Sequence, residues 1–88
     1  MKTICWLAIE MISRIEAIHS NNMLHRDIKP ENFLIKEGRK ATSLYVIDLG
    51  LSKRYKDPKT GKHNLMNKRN GITGTPRWCS KMAHQCYE

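Results

Sequence analysis

His25-Arg26-Asp27-Ile28-Lys29-Pro30-Glu31-Asn32 gathers two carboxylates, a lysine and a carboxamide within eight positions, and Asp48-Leu49-Gly50 adds a third carboxylate sixteen residues beyond Asn32. The flanking segments carry clear periodicity. Before the first stretch, Ile4, Ala8, Met11, Ile15 and Ile18 recur at steps of four and three, with Leu7 and Ile12 beside them, which predicts an amphipathic helix. Glu10 and Arg14 sit at i,i+4 on its other face, and Ser20-Asn21-Asn22 is a suitable place to stop. No capping residue precedes the stripe, so the helix reads as cut near its start. After the first stretch come two short apolar runs, Phe33-Leu34-Ile35 and Leu44-Tyr45-Val46-Ile47, parted by a polar stretch containing Gly38. They predict a small antiparallel pair whose fold brings together Asn32, before its first strand, and Asp48, after its second. The expected class is therefore α+β: one helix, a loop, a hairpin and a long tail of loop.

That tail begins with Lys53, Arg54, Lys56, Lys59, Lys62, Lys68 and Arg69 against the single acid Asp57. Apolar periodicity is lost there, and the segment reads as a long basic loop, a functional candidate on length alone. The whole chain has 88 residues, with sixteen Lys and Arg against eight Asp and Glu, a formal charge of +8. At 40% apolar residues it is too hydrophobic for a disordered tail, and Glu10, Arg14 and Glu16 in its most apolar stretch argue against a membrane span. A chain of this size supports one modest core and no second domain, so a bilobed enzyme is not complete within it. Three cysteines, Cys5, Cys79 and Cys86, and no recognisable signal sequence imply a reducing compartment, the cytoplasm or the nucleus. The positive charge calls for an anionic partner.

The octet and the Asp48 turn together resemble the catalytic loop and metal-binding turn of eukaryotic protein kinases. The resemblance implies ATP and Mg²⁺ as cofactors. Phosphoryl transfer passes through a loose transition state, so the protein chiefly positions a hydroxyl and neutralises charge. On this reading Asp27 orients the substrate hydroxyl and Lys29 meets the transferring phosphate, while Asn32 and Asp48 supply hard oxygens to magnesium. Gly50 allows the sharp turn. His25 is expected to brace the loop rather than react.

Further matches, Met11-Ile12-Ser13-Arg14-Ile15-Glu16, His19-Ser20, Asn32-Phe33-Leu34, Lys53-Arg54-Tyr55-Lys56-Asp57, Thr60-Gly61-Lys62-His63 and Thr73-Gly74-Thr75, resemble the casein kinase I family over nearly the whole chain. The tau-tubulin and vaccinia-related kinases share the general plan. The resemblance implies a Ser/Thr kinase acting on acidic or already phosphorylated proteins through an anion pocket at Arg26, Lys53 and Arg77. One basic member of that pocket is replaced by Asn70, with Lys68 and Arg69 adjacent as substitutes. Thr75 is expected to join Asp27 to Lys29. Leu49 replaces the usual phenylalanine, Ser80-Lys81-Met82 replaces Ser-Ile-Asn, and Pro76 and Trp78 also depart. The chain matches part of a C-terminal lobe, from the helix before the catalytic loop through the activation segment. It contains no G-x-G-x-x-G, no V-A-I-K lysine and no partner glutamate, so the 88 residues alone are expected to show negligible activity.

Other readings compete. Thr60-Gly61-Lys62-His63 lacks the earlier glycine and the hydroxyl of a P-loop. Cys79, His84 and Cys86 lack the tight spacing of a zinc knuckle. A non-catalytic basic module that grips anions or acidic proteins is the main alternative. Specific single-strand nucleic-acid binding is disfavoured by the shortage of interleaved aromatics. A third reading is a degenerate or incomplete gene product, marginally stable and prone to self-association through uncovered apolar faces.

Overall fold

The computed structural model describes residues 1–88. Its first element, α1, spans Lys2–Ser20, a run without glycine or proline. No side chain caps its start, and Met1 stands in the cap position. At the other end Asn21 donates its backbone N–H to Ile18 O at 3.1 Å and its side-chain Nδ2 to Ala17 O at 2.8 Å. Asn22 then takes φ of 63°, a left-handed value that asparagine tolerates, and turns the chain.

The inward face of α1 is rotated from the predicted stripe. Trp6, Leu7, Met11, Arg14, Ile15 and Ile18 are half-buried, whereas Ala8 is exposed and Ile4 is 64% exposed. The reason is the hairpin's position: its tip, at Glu37, Ala41 and Thr42, comes beside Trp6 and Leu7. Covering the large indole outweighs covering the smaller residues around it. Farther along, Arg14 Nε–H donates to Leu44 O at 3.0 Å while its guanidinium pairs with Glu10 at 2.9 Å.

That hairpin consists of β2, Phe33–Glu37, and β3, Thr42–Val46, paired antiparallel from Phe33↔Val46 to Glu37↔Thr42. Gly38 N–H donates to Ala41 O at 2.9 Å, and a Cβ at Gly38 would stand only 3.0 Å from that oxygen, so the turn favours glycine. Two shorter strands, β1 at Met23–Leu24 and β4 at Lys53–Arg54, form a second antiparallel pair. It brings the entrance of the 25–32 loop beside the exit of the Asp48 turn.

The basic segment is more ordered than its lost periodicity predicts. Lys56 pairs with His63, Asp57 N–H donates to Lys62 O at 2.9 Å, and Asp57 Oδ1 accepts from Lys59 N–H at 2.8 Å. Gly61, at φ of 71°, completes this turn. Aspartate and glycine are turn formers that polar composition hides. A 3₁₀ turn at Pro76–Trp78 and a short helix, α2, at Lys81–His84 follow.

Only Leu44 among apolar residues is buried, with His25 and Asn32 the other two buried side chains. The radius of gyration is 15.0 Å, against about 12 Å for a compact chain of this length. No helix is long and apolar enough to cross a membrane.

Candidate active site

His25, 1% exposed, fixes the loop from within. Its Nε2 lies 3.0 Å from Ile47 O, and its Nδ1 lies 3.1 Å from Asp27 N. A carbonyl can only accept and a backbone N–H can only donate, so the ring is the neutral Nε2–H tautomer. The ring thereby links the loop to the chain just before Asp48. Arg26, at φ of 69°, and Asp48, at 59°, both hold left-handed conformations that cost non-glycine residues on the order of 1–2 kcal/mol each. They are two of the four left-handed non-glycine residues in the chain.

Asp27, Lys29 and Thr75 form a closed triangle. The Thr75 hydroxyl donates to Asp27 Oδ1 at 2.7 Å and accepts from Lys29 Nζ at 2.7 Å. Lys29 Nζ lies 3.3 Å from Asp27 Oδ2, and Thr75 N–H donates to Oδ1 at 3.0 Å. The Thr75 hydrogen bond, helped by the Lys29 charge and opposed by desolvation, holds the Asp27 carboxyl below its ordinary value. A carboxylate so stabilised is a weak base, suited to orienting a hydroxyl. Gly74, at φ of 97°, makes the approach possible, because a Cβ there would meet Arg26 O at 2.7 Å.

Asn32, 5% exposed, directs Nδ2–H to Asp27 O at 2.7 Å and more weakly to Oδ2 at 3.4 Å. This leaves its side-chain oxygen, Oδ1, for another ligand. Ile47 N–H donates to Asn32 O at 2.9 Å, which sets Asp48 one residue from Asn32's cross-strand neighbour. Asp48 is exposed, and its Oδ1 accepts Gly50 N–H at 3.2 Å. The pair offers hard oxygens at one end of the hairpin, which fits magnesium, an ion that keeps waters and phosphate oxygens as its other ligands. No three His, Cys, Asp or Glu side chains cluster as a metal site, including Cys79, His84 and Cys86.

Sequence reasoning did not single out Glu88. Its Oε2 lies 2.9 Å from Arg26 and 3.3 Å from Arg69, and its Oε1 is held by Lys53. The Lys53 hydrogen bond, with Lys53 and Arg69 charges behind it, lowers the Glu88 carboxyl against desolvation. Arg26 and Lys53, two members expected of an anion pocket, thus meet on one carboxylate, and Arg69 joins them. Arg77 lies exposed on its 3₁₀ turn and makes no ion pair there. One signal was readable in advance: Glu88 is the only acid after Asp57. A cleft of about 290 Å³ runs between the Asp27–Thr75 corner and Glu88, past Trp78.

The sequence matches the family model for the protein kinase domain over residues 2–82. That span includes the triangle, the Asn32–Asp48 pair, Lys53 and Arg69, with Glu88 beyond it. The chain belongs to the protein kinase domain family.

Proposed function

We propose that residues 1–88 contribute the catalytic loop, metal-binding turn and activation segment of a Ser/Thr protein kinase of the casein kinase I type, acting on acidic or phosphorylated proteins. The observation that carries the reading is the triangle of Asp27, Lys29 and Thr75. It joins the loop to a threonine 48 residues away, so the catalytic carboxylate and the activation segment are organised together. Magnesium-bound ATP supplies the phosphoryl group. Asn32 and Asp48 would hold the metal, Lys29 neutralises phosphate charge, and Asp27 accepts the hydroxyl proton's hydrogen bond and aligns the oxygen. Arg26, Lys53 and Arg69 supply the positive charge that favours an acidic or phosphorylated substrate.

The test is transfer from ATP to an acidic serine peptide by the native gene product isolated from its source cells. Magnesium-dependent transfer that is lost in Asp27→Asn is the expected result. Transfer that survives Asp27→Asn overturns the assignment. The 88 residues alone are expected to transfer nothing measurable. The clustering of three cations favours one second reading, a non-catalytic anion-binding module, which predicts peptide binding without transfer by the native product.

A further inference from the structure

The best-connected carboxylate outside the triangle is Glu88, and the chain around it is built to deliver it. At the end of α2, Tyr87 N–H donates to Met82 O at 3.1 Å and Cys86 N–H donates to Ala83 O at 2.9 Å. Cys86 sits at φ of 65°. These are the bonds of a Schellman ending, made here with a cysteine where glycine is usual. The reversal sends residues 86–88 back along 67–69. Lys68 pairs with Tyr87, Glu88 N–H donates to Asn67 O at 2.9 Å, and Lys68 Nζ stands 5.7 Å over the Tyr87 ring. The side chain then enters the Arg26, Lys53 and Arg69 cluster and is only 11% exposed there.

Three cations surround one carboxylate, so the cluster keeps an excess of two positive charges. A phosphomonoester carries about −1.5 to −2 charge with three acceptor oxygens. It would neutralise the cluster more fully than Glu88 and present an oxygen to each donor. Glu88 has the compensating advantage of its tether, which for a short link acts as a millimolar effective concentration. The two anions are therefore natural competitors.

We propose that Glu88 is a built-in occupant of the Arg26–Lys53–Arg69 cluster, holding the place of a protein substrate's phosphate group and yielding to it. The inference rests on the reading of this cluster as the substrate anion site. Its consequence is selectivity: a weak acidic residue does not displace Glu88, whereas a phosphorylated one does. Occupancy by Glu88 lowers apparent affinity in proportion to the fraction of molecules in which the cluster is free.

The experiment compares the native gene product with its Glu88→Gln variant by calorimetric titration. The probes are inorganic phosphate, an acidic phosphoserine peptide and the same peptide unphosphorylated. Glu88→Gln is expected to bind the phosphoserine peptide about tenfold more tightly than the unchanged chain, as for a site nine-tenths occupied by its own carboxylate. Adding Arg69→Gln should erase that gain. A gain confined to inorganic phosphate, an equal gain for the unphosphorylated peptide, or no gain overturns the proposal. Should Glu88→Gln lose its far-UV helical signal, the unchanged chain decides by NMR. Phosphoserine peptide must then shift the Asn67 and Glu88 amides as the segment releases. Binding that leaves both in place, or no binding, overturns it. The titration involves no phosphoryl transfer, so it can fail while the kinase reading stands, and the reverse.

Discussion

Around the 25–32 loop Asp27, Lys29, Asn32 and Thr75 bind one another and His25 is 1% exposed, whereas along α1 and the hairpin Ile4, Ile9, Ile12, Leu34 and Ile35 are 52 to 68% exposed. The first region is held by directional bonds that each residue satisfies for its neighbour. The second presents apolar faces with only one layer packed against them. Hydrogen bonds contribute net about 0.5–1.5 kcal/mol each, because water competes for the same groups. Burial of apolar surface is the term that drives folding, and here it is concentrated on one side of α1. Chemistry is thus specified locally, while stability depends on few contacts.

The sharpest way to break this contrast is to compare Leu44→Ala with Ile12→Ser. Leu44 is 2% exposed and sits where β3 meets α1, so its truncation should cost about 2–5 kcal/mol. For a chain with so small a core that loss removes the cooperative transition, read as urea unfolding by far-UV circular dichroism. Ile12 is 68% exposed. Its replacement should alter stability by less than about 0.5 kcal/mol and reduce self-association in sedimentation. Equal destabilisation by both changes would mean that the outer face of α1 is covered in solution.

A smaller effect is expected at the site. Thr75→Val removes the hydroxyl that joins Asp27 to Lys29 but keeps the backbone N–H bonded to Asp27. Stability should fall by about 1 kcal/mol. The Asp27 carboxyl should rise toward its ordinary value of 3.8, because the lost bond is the largest of the effects that lower it. Carboxyl ¹³C titration reads this directly. An unmoved midpoint would show that Lys29 and the Thr75 backbone N–H hold the carboxylate without the hydroxyl, and that the Thr75 side chain is not a positioning group.

What the sequence made legible follows from separation along the chain. Asp27, Lys29 and Asn32 fall within six residues, and the hairpin was marked by its two apolar runs with Gly38 between them. The helix was legible as an element, but its orientation was not, because that depends on where the hairpin tip meets Trp6 and Leu7. The turn at Asp57–Lys62 was hidden by charge, although Asp57 and Gly61 supply its bonds. Glu88 was the hardest to foresee. Its partners Arg69, Lys53 and Arg26 lie 19, 35 and 62 residues away, and no periodicity reports a contact of that kind.

The smallest expected effect separates the two depressed carboxylates from the apolar contacts by pH. Both Asp27 and Glu88 are held below their ordinary values of 3.8 and 4.5. A carboxyl lowered by folding binds fewer protons in the folded chain than in the unfolded one, so stability rises with pH across that interval. Its contribution is complete above the unfolded value and disappears as pH falls through the folded one. The urea midpoints of the unchanged chain and Glu88→Gln should therefore differ by a constant amount from pH 8 to about pH 5.5. The gap should close as the pH drops below 4.5 and Glu88 is protonated. A gap that widens in acid would mean that Lys53 and Arg69 do not hold the carboxylate. Leu44→Ala should show no such closing gap, since no titrating group is removed with the leucine.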